Sequence, residues 1–358
     1  MNDRARIISD RLRQQRIAGS ALRTPEDVVS WLLAVQAQDY SGSLWAVGLR
    51  MRSAGVADIE SAIRDGRLVR TWPMRGTLHL LAAADVRWML DLLATRSIAG
   101  NAVRLEREYA LDAATLKRCR KIVEKHLTDG PQRRSSLYES LEAAKIATAN
   151  SRGINILGRL SQEGLICGGP RDGKQPTYAL LDMWSPESRR LSRDEALAEL
   201  ARRYFASRGP ATLQDLAWWS GLTQKEVRIA IDLAKPHLVQ EIIAGAVYWR
   251  SPEAVAVDGA MEKTYLLPPF DEYMVAYRDR SAPLDPAYGR RVIGINGLFN
   301  PAIVIDGKVV GTWKRSLKKD ATRITLDPFK PLAKTSQSAV RAAAKRYGAF
   351  LGSPVVVA

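Results

Sequence analysis

The stretch 212–228 restricts the fold of this chain more than any other segment. Thr212 and Thr223 each stand where a helix N-cap is expected, and Glu226 follows Thr223 at the spacing of a capping box. Gly221 supplies a tight turn between the two helices that these caps begin. Two short helices joined by such a turn predict a helix-turn-helix. The strand-like alternation that follows at 238–250 predicts a wing, and the whole unit a winged helix.

Two earlier segments repeat this order of helices followed by a strand pair. In the first copy we predict helices near 3–17, 26–35 and 58–65, and strands at 68–72 and 76–80. In the second copy we predict helices at 134–139 and 155–163, and strands at 165–167 and 177–181. Three tandem winged-helix motifs therefore account for about the first 250 residues.

Beyond Ser251 the pattern changes to strands, at 265–267, 302–305, 309–313 and 323–326, before a closing helix at 336–350. Asp306-Gly307 predicts a tight hairpin, because both residues tolerate positive φ. The expected fold class is α+β, with three tandem winged-helix motifs followed by a C-terminal β-barrel-like domain. The predicted boundaries are 1–110, 111–190, 191–252 and 253–358.

The charge balance indicates a polyanionic partner. Lys and Arg total 54 against 38 Asp and Glu, which gives a formal net charge of +16. Nucleic acid is the first expectation and an anionic membrane surface the second. The sequence has no apolar run long enough for a transmembrane helix and no apolar signal core, so we expect a cytoplasmic protein. Its two cysteines and three histidines are scattered, which predicts neither a disulfide nor a metal site, and no cofactor.

Two glutamines one residue apart, Gln36 and Gln38, follow the apolar run 31–35. On an α-helix their side chains would diverge, whereas in extended or turning backbone they lie on one side. If the helix ends near Val35, the two amides can form a neutral, hydrogen-bonding clamp. The alternative is that the pair only satisfies the last carbonyls of a helix or faces water.

Basic residues beside aromatic residues recur in the strand-rich regions. Arg70 and Arg75 flank Trp72, Arg278 and Arg280 follow Tyr277, and Lys314-Arg315 through Lys318-Lys319 follow Trp313. Such sets can hold phosphates and support unstacked bases. Each pair can equally be a surface charge beside a core aromatic. Their clustering favours a shared nucleic-acid groove.

Three motifs together resemble the AlkZ/YcaQ-like winged-helix DNA glycosylases: 36–39, the hairpin 70–80 and the segment 266–280. Residues 306–313 extend the resemblance into the tail. It implies three winged helices and a β-barrel in a C-shaped molecule with a basic concave surface. It also implies hydrolysis of the N-glycosidic bond of alkylated purines, notably N7-alkylguanine, and unhooking of some interstrand crosslinks. Gln36-Ala37-Gln38 matches the Gln-apolar-Gln branch of the family, so Gln36 and Gln38 are the expected catalytic residues.

The resemblance implies double-stranded DNA with alkylated bases as partner, and we expect a nucleoid-associated monomer. The expected DNA-binding residues are Arg70, Trp72, Arg75, His79, Arg278, Arg280, Lys314 and Arg315. His79 can instead be a core histidine satisfied by backbone, and the Asp306-Gly307 hairpin can be a plain structural turn rather than a groove-reading one. The rival functions are a non-catalytic winged-helix DNA-binding protein or transcriptional regulator, and a polyanion-binding scaffold.

Overall fold

Helices and strands alternate along the part of the chain that the structure, a computed structural model, describes: residues 2–19, 22–253, 263–317 and 320–358. The helices are α1 (Asp3–Gln14), α2 (Pro25–Leu32), α3 (Tyr40–Gly48), α4 (Val56–Arg64), α5 (Val86–Met89), α6 (Thr95–Tyr109), α7 (Ala113–His126), α8 (Arg134–Ala143), α9 (Arg152–Gln162), α10 (Leu181–Trp184), α11 (Arg193–Arg208), α12 (Leu213–Ser220), α13 (Gln224–Ala234), α14 (Glu272–Val275), α15 (Gly289–Val292) and α16 (Lys334–Leu351). The strands are β1 (Val35–Gln36), β2 (Leu68–Met74), β3 (Thr77–Ala82), β4 (Gln132–Arg133), β5 (Ile166–Gly168), β6 (Thr177–Leu180), β7 (Val239–Ile243), β8 (Ala246–Arg250), β9 (Thr264–Leu267), β10 (Ala302–Ile305), β11 (Lys308–Leu317), β12 (Thr322–Pro328) and β13 (Val355–Val357).

The chain divides into two compact units. Unit one consists of Met1–Ile59, Leu197–Trp219 and Thr223–Ala358, and unit two of Glu60–Ala196 and Ser220–Leu222. Each unit is described by itself below.

In unit two the strands follow one another in the order β3-β2-β5-β6-β4, and each neighbouring pair is antiparallel. The turn between β2 and β3 places Arg75 at φ 53° and Gly76 at φ 68°, the left-handed pair that a tight hairpin needs. The predicted hairpin is confirmed, with strands that extend further at their ends. Helices α7, α8 and α9 supply a core that includes Val123, Leu137 and Leu157.

The C-terminal part of unit one is a curled five-stranded sheet in the order β13-β12-β11-β10-β9. Its strands are antiparallel except for the parallel β12 and β13. The Asp306-Gly307 turn is confirmed, with φ of 49° and 74°. Helix α16 covers the sheet through Tyr347, whose ring centroid lies 5.3 Å from that of Trp313.

The Asp306-Gly307 hairpin packs inside unit one. Gly307 is buried, and its carbonyl accepts a hydrogen bond of 2.7 Å from the Tyr273 hydroxyl. A Cβ atom at this position would stand 2.1 Å from Ile8 of α1. This is the geometry of a structural turn, the second of the two alternatives given for it above.

Residues 212–250 follow the sequence prediction closely. The Thr223 side chain accepts from the Glu226 backbone, and the Glu226 carboxylate accepts in return from the backbone N–H of Thr223. Gly221 adopts φ 77°, and β7 and β8 pair across the Ala244-Gly245 turn. Local sequence therefore determines this helix pair and its strand pair.

Among the elements of the described residues, eleven were not predicted: α3, α5, α6, α7, α10, α11, α14, α15, β1, β4 and β13. Around α5 the side chains of Trp88, Met89 and Leu90 are all buried. A helix that is buried on nearly every side shows little of the amphipathic stripe by which a sequence indicates a surface helix.

Candidate functional site

The segment that carries Gln36 and Gln38 is not helical. Helix α2 ends at Leu32, three residues before the predicted end, because Leu33 turns the chain at φ 62°. Val35 and Gln36 then form the short strand β1. Asp39 caps α3, with its side chain accepting from the backbone N–H of Gly42. The backbone condition for two amides on one side is therefore met.

The two glutamines have different surroundings. Gln36 is buried, with 7% of its surface exposed, and Gln38 is exposed. Ala37 between them is fully buried and anchors the segment in the core. The Gln36 side chain thus lies in the protein interior, whereas the Gln38 side chain is open to solvent. Convergence of both amides on a single water stays a prediction.

A buried carboxylate lies directly behind Gln36. Glu272, at the start of α14, accepts the backbone N–H of Gln36 on Oε1 at 3.1 Å. Its Oε2 accepts from Arg208 Nη2 at 2.7 Å and from Trp219 Nε1 at 2.9 Å. The side chains of Glu272, Arg208 and Trp219 are completely shielded from solvent. The charge of Glu272 is therefore paired and hydrogen-bonded, as a buried charge requires.

Sequence reasoning assigned no role to Glu272 or Arg208. The signal that could have found Glu272 is the pair Asp271-Glu272 inside the otherwise apolar stretch 264–277. Two adjacent acids in such a stretch must find partners when they are buried. The partners of Glu272 come from α11 and α12, far away in sequence.

A second buried ion pair lies beside the first. Arg50 binds Asp271 through two contacts of 2.8 Å, and both side chains are fully buried. Gln15 joins the two pairs, since its Oε1 accepts from Arg50 and its Nε2 donates to the Glu272 carbonyl oxygen. This polar network links α1, α3 and α14 beneath the glutamine segment.

Arg315 lies next to the same segment. Its Nη1 donates to the Tyr347 hydroxyl, and its Nη2 is 3.8 Å from Asp39 Oδ1. Burial raises the pKa of Tyr347, so its hydroxyl stays protonated. The neighbouring Lys314 is exposed, and alternation along β11 places it on the opposite face. Of the predicted DNA-binding residues, Arg315 is the one with a described contact to the glutamine segment. Lys318 and Lys319 lie outside the described residues.

Arg278 and Arg280, also in unit one, differ from each other. Arg278 is exposed, and its backbone N–H donates to Asp215 Oδ1 at 2.8 Å. The Arg280 guanidinium lies 5.1 Å from the ring centroids of both Trp218 and Phe299. Its Nε also donates to the Met274 carbonyl oxygen at 2.7 Å. Arg280 is thus held in place, and the exposed Arg278 is the more accessible cation.

Unit two holds the other predicted DNA-binding residues. Arg70 and Trp72 lie on β2 and are half-buried, and Arg75 occupies the hairpin turn. The Trp72 ring stacks on Tyr178 at 6.5 Å and packs against the core, as in the alternative that treats it as a core aromatic. His79 is completely buried, and its Nδ1 is 3.0 Å from the Thr77 carbonyl oxygen, as in the core-histidine alternative.

Within the described ranges, no group of three or more His, Cys, Asp or Glu side chains is arranged to hold a metal ion. Over the same ranges, no helix combines the length and apolar character that crossing a membrane requires.

Comparison with known proteins gives consistent matches over most of the chain. The model of a family described as DNA glycosylase AlkZ-like matches residues 29–350. An interstrand DNA cross-link repair glycosylase of Streptomyces sahachiroi is 25% identical over 325 residues, which is 86% of each chain. The solved structure of the Streptomyces sahachiroi DNA glycosylase AlkZ superposes with a TM-score of 0.82 at 22% identity and covers 100% of both chains.

Proposed function

The chain belongs to the AlkZ-like family of DNA glycosylases, and from that premise we propose that it removes alkylated purines, above all N7-alkylguanine, from double-stranded DNA. The observation that carries the proposal is the non-helical segment 35–39, which sets a buried Gln36 and an exposed Gln38 in one short stretch. We assign the catalytic roles to these two glutamines.

The chemistry of the substrate explains why amides suffice. Alkylation at N7 gives the purine a positive charge, which makes it a good leaving group without protonation by the enzyme. The enzyme then has to orient a water molecule and oppose the positive charge that develops on the sugar. Carboxamide oxygens do both, since they accept hydrogen bonds and carry partial negative charge. Water as nucleophile makes the enzyme monofunctional. Because amides are weak bases, unmodified nucleosides are spared.

We propose that the four predicted parts of the chain correspond to three winged helices at 1–110, 111–190 and 191–252 and a β-rich domain at 253–358. Three hairpins that each follow a helix support this proposal: β2 with β3, β5 with β6, and β7 with β8. The part after the third hairpin contains the curled sheet.

For DNA contacts we retain the predicted set, with different weights. We give most weight to Arg315 and Arg278 as phosphate contacts, since Arg315 neighbours the segment that carries Gln38 and Arg278 is exposed. Lys314 is exposed beside Arg315. Arg70, Trp72, Arg75 and Arg280 complete the proposed contacts, whereas His79 carries no weight because it is completely buried. We propose that the protein acts as a monomer at the nucleoid.

Unhooking of interstrand crosslinks is a further part of the proposal. The relative from Streptomyces sahachiroi is named as an interstrand cross-link repair glycosylase. A guanine crosslinked through N7 has the same cationic leaving group as a simple N7 adduct. A crosslinked base cannot be flipped fully into a tight pocket, so we expect an open site.

The test is excision of 7-methylguanine from a duplex, followed by heat or alkali to reveal abasic sites. We expect Gln36→Ala and Gln38→Ala each to slow excision by about 100-fold, since each removes a group that orients water or opposes charge. Gln337→Ala is the matched control, because Gln337 is exposed on α16 and the bond described for its side chain goes to the Leu332 carbonyl oxygen. Full excision by both glutamine variants would show that the pair is structural. No release by the wild type, with tight binding to one unmodified sequence, would favour a regulator.

A further inference from the structure

Glu272 makes a further hydrogen bond besides its ion pair with Arg208. A buried carboxylate is adequately compensated by one well-placed guanidinium and a second donor, and Arg208 and Trp219 already supply both to Oε2. Its other oxygen, Oε1, accepts the backbone N–H of Gln36 from 236 positions earlier in the chain. The side chain therefore fixes the backbone position of a glutamine to which we assign catalysis.

Arg208 bonds the same segment at Ala34, on the N-terminal side of Val35. Its Nη2 donates to the Ala34 carbonyl oxygen at 3.3 Å as well as to Glu272. Ala34 C=O and Gln36 N–H are thus served by a donor and an acceptor that are themselves paired. Arg208 and Glu272 thus make the two hydrogen bonds that the backbone of a neighbouring strand would otherwise make along this edge. Backbone bonded in this way cannot shift without breaking a charge-assisted contact.

We propose that Glu272, supported by Arg208, is a positioning residue for excision that sets the place of Gln36 without touching the substrate. The inference rests on the proposed catalytic role of Gln36. Water orientation depends steeply on geometry, and an error of about 1 Å in the position of an orienting group can cost about 100-fold in rate. A supporting set of buried side chains is what keeps such a group within tolerance.

The neighbouring pair of Arg50 and Asp271 provides a matched control. It is equally buried and also lies beneath the segment, but the bonds described for Asp271 go to Arg50 and to the Tyr273 backbone N–H. Loss of that pair removes the same kind of interaction without releasing Gln36. A purely structural role for Glu272 predicts equal effects from the two sites.

The experiment compares Glu272→Gln with Asp271→Asn in the full chain. An amide at 272 cannot accept on both ends, so either the Gln36 N–H or the Arg208 and Trp219 donors face an NH₂ group. We expect Glu272→Gln to slow single-turnover excision of 7-methylguanine by about 100-fold, with DNA affinity changed less than about twofold. Asp271→Asn keeps the excision rate. Hydrogen exchange at the Gln36 amide should accelerate in Glu272→Gln alone.

Arg208→Lys extends the test if Glu272→Gln does not fold. A lysine retains the charge but is shorter and lacks the planar guanidinium that holds Nη2 against both Glu272 and the Ala34 carbonyl oxygen, so we expect a rate loss of about tenfold. The double variant Gln36→Ala/Glu272→Gln should be no slower than Gln36→Ala alone, because both changes act through one residue. Slow Gln36→Ala with normal excision by Glu272→Gln overturns this inference. Normal excision by Gln36→Ala overturns the proposed catalytic role itself.

Discussion

At the residue scale, a charged side chain bonds the backbone of Gln36, the proposed catalytic residue. That side chain, Glu272, is fully buried and paired with Arg208, and the neighbouring Arg50 and Asp271 form a separate buried pair that makes no described bond to Gln36. The buried charges therefore cancel in pairs. Near this segment, the exposed Gln38 and the partly exposed Arg315 and Asp39 present polar groups to solvent.

Arg315 gives a prediction at this scale. We expect Arg315→Ala to weaken binding to alkylated duplex by about tenfold, or about 1.4 kcal/mol, since it removes a cation held beside the glutamine segment. Fluorescence anisotropy at fixed salt measures this. Lys308→Ala is the control, because Lys308 is exposed at the other end of the same strand, and we expect it to stay within about twofold. Equal losses from both variants would show that only net charge matters.

The two thiols give a second residue-scale prediction. Cys119 and Cys167 are fully buried, and burial raises the pKa of the Cys167 thiol to about 12 and that of Cys119 above its usual value. Both thiols therefore stay protonated near neutral pH. Their contribution to the free energy of unfolding is fully present at that pH and is lost as the pH rises toward 12. We expect no reaction with a thiol reagent at pH 8 in the folded state and two reactive thiols after denaturation. Rapid labelling of the native protein would contradict this.

At the scale of elements, capping and turn residues determine where helices and hairpins begin and end. Thr223 and Glu226 start α13, Asp39 starts α3, and paired positive φ values close the turns at Arg75-Gly76 and Asp306-Gly307. Each of these caps and turns involves only three or four consecutive residues. This is why the sequence alone predicts most of them at the correct positions.

Thr223→Ala tests the capping box. It removes the acceptor for the Glu226 backbone N–H, and we expect a loss of about 1 kcal/mol in the free energy of unfolding. Urea unfolding followed by circular dichroism measures this. Gln224→Ala is the control, since Gln224 is exposed in the same helix, and it should stay within about 0.5 kcal/mol. No difference between the two variants would mean that packing alone sets the start of α13.

At the scale of the whole molecule, we expect the net charge of +16 to dominate the affinity for DNA. Basic residues that contact phosphates release counterions, so affinity falls with salt in proportion to the number of contacts. The large excess of Lys and Arg over Asp and Glu therefore implies a steep salt dependence. Selectivity for damaged bases has to come from the site rather than from this term.

Arg278→Ala and Lys314→Ala test the assignment of phosphate contacts. Each should reduce the slope of log affinity against log salt by about 1, because each removes one contact. Titrations at several salt concentrations measure the slope. Arg202→Ala is the control, since Arg202 is paired with Glu199 on α11, and its slope should match the wild type. An unchanged slope in Arg278→Ala would remove that residue from the DNA surface.

The sequence by itself determined the local devices and the family. The capping box at Thr223 and the turns at Arg75-Gly76, Ala244-Gly245 and Asp306-Gly307 depend on a few neighbouring residues, and the motifs at 36–39, 70–80 and 266–280 carried the resemblance. The sequence missed α3, α5, α6, α7, α10, α11, α14, α15, β4 and β13. Several of these, such as α5, α10 and β13, are only three or four residues long, which is too short to show a hydrophobic period.

Only the tertiary structure decided what surrounds Gln36. Glu272 is 236 positions away from Gln36, and Arg208 is 174 positions from the Ala34 carbonyl that it binds. No local rule connects such residues, because their contact depends on how the helices that carry them pack. A buried carboxylate must find a donor, which the sequence can indicate. That the donor is the backbone of the glutamine segment follows from the fold alone.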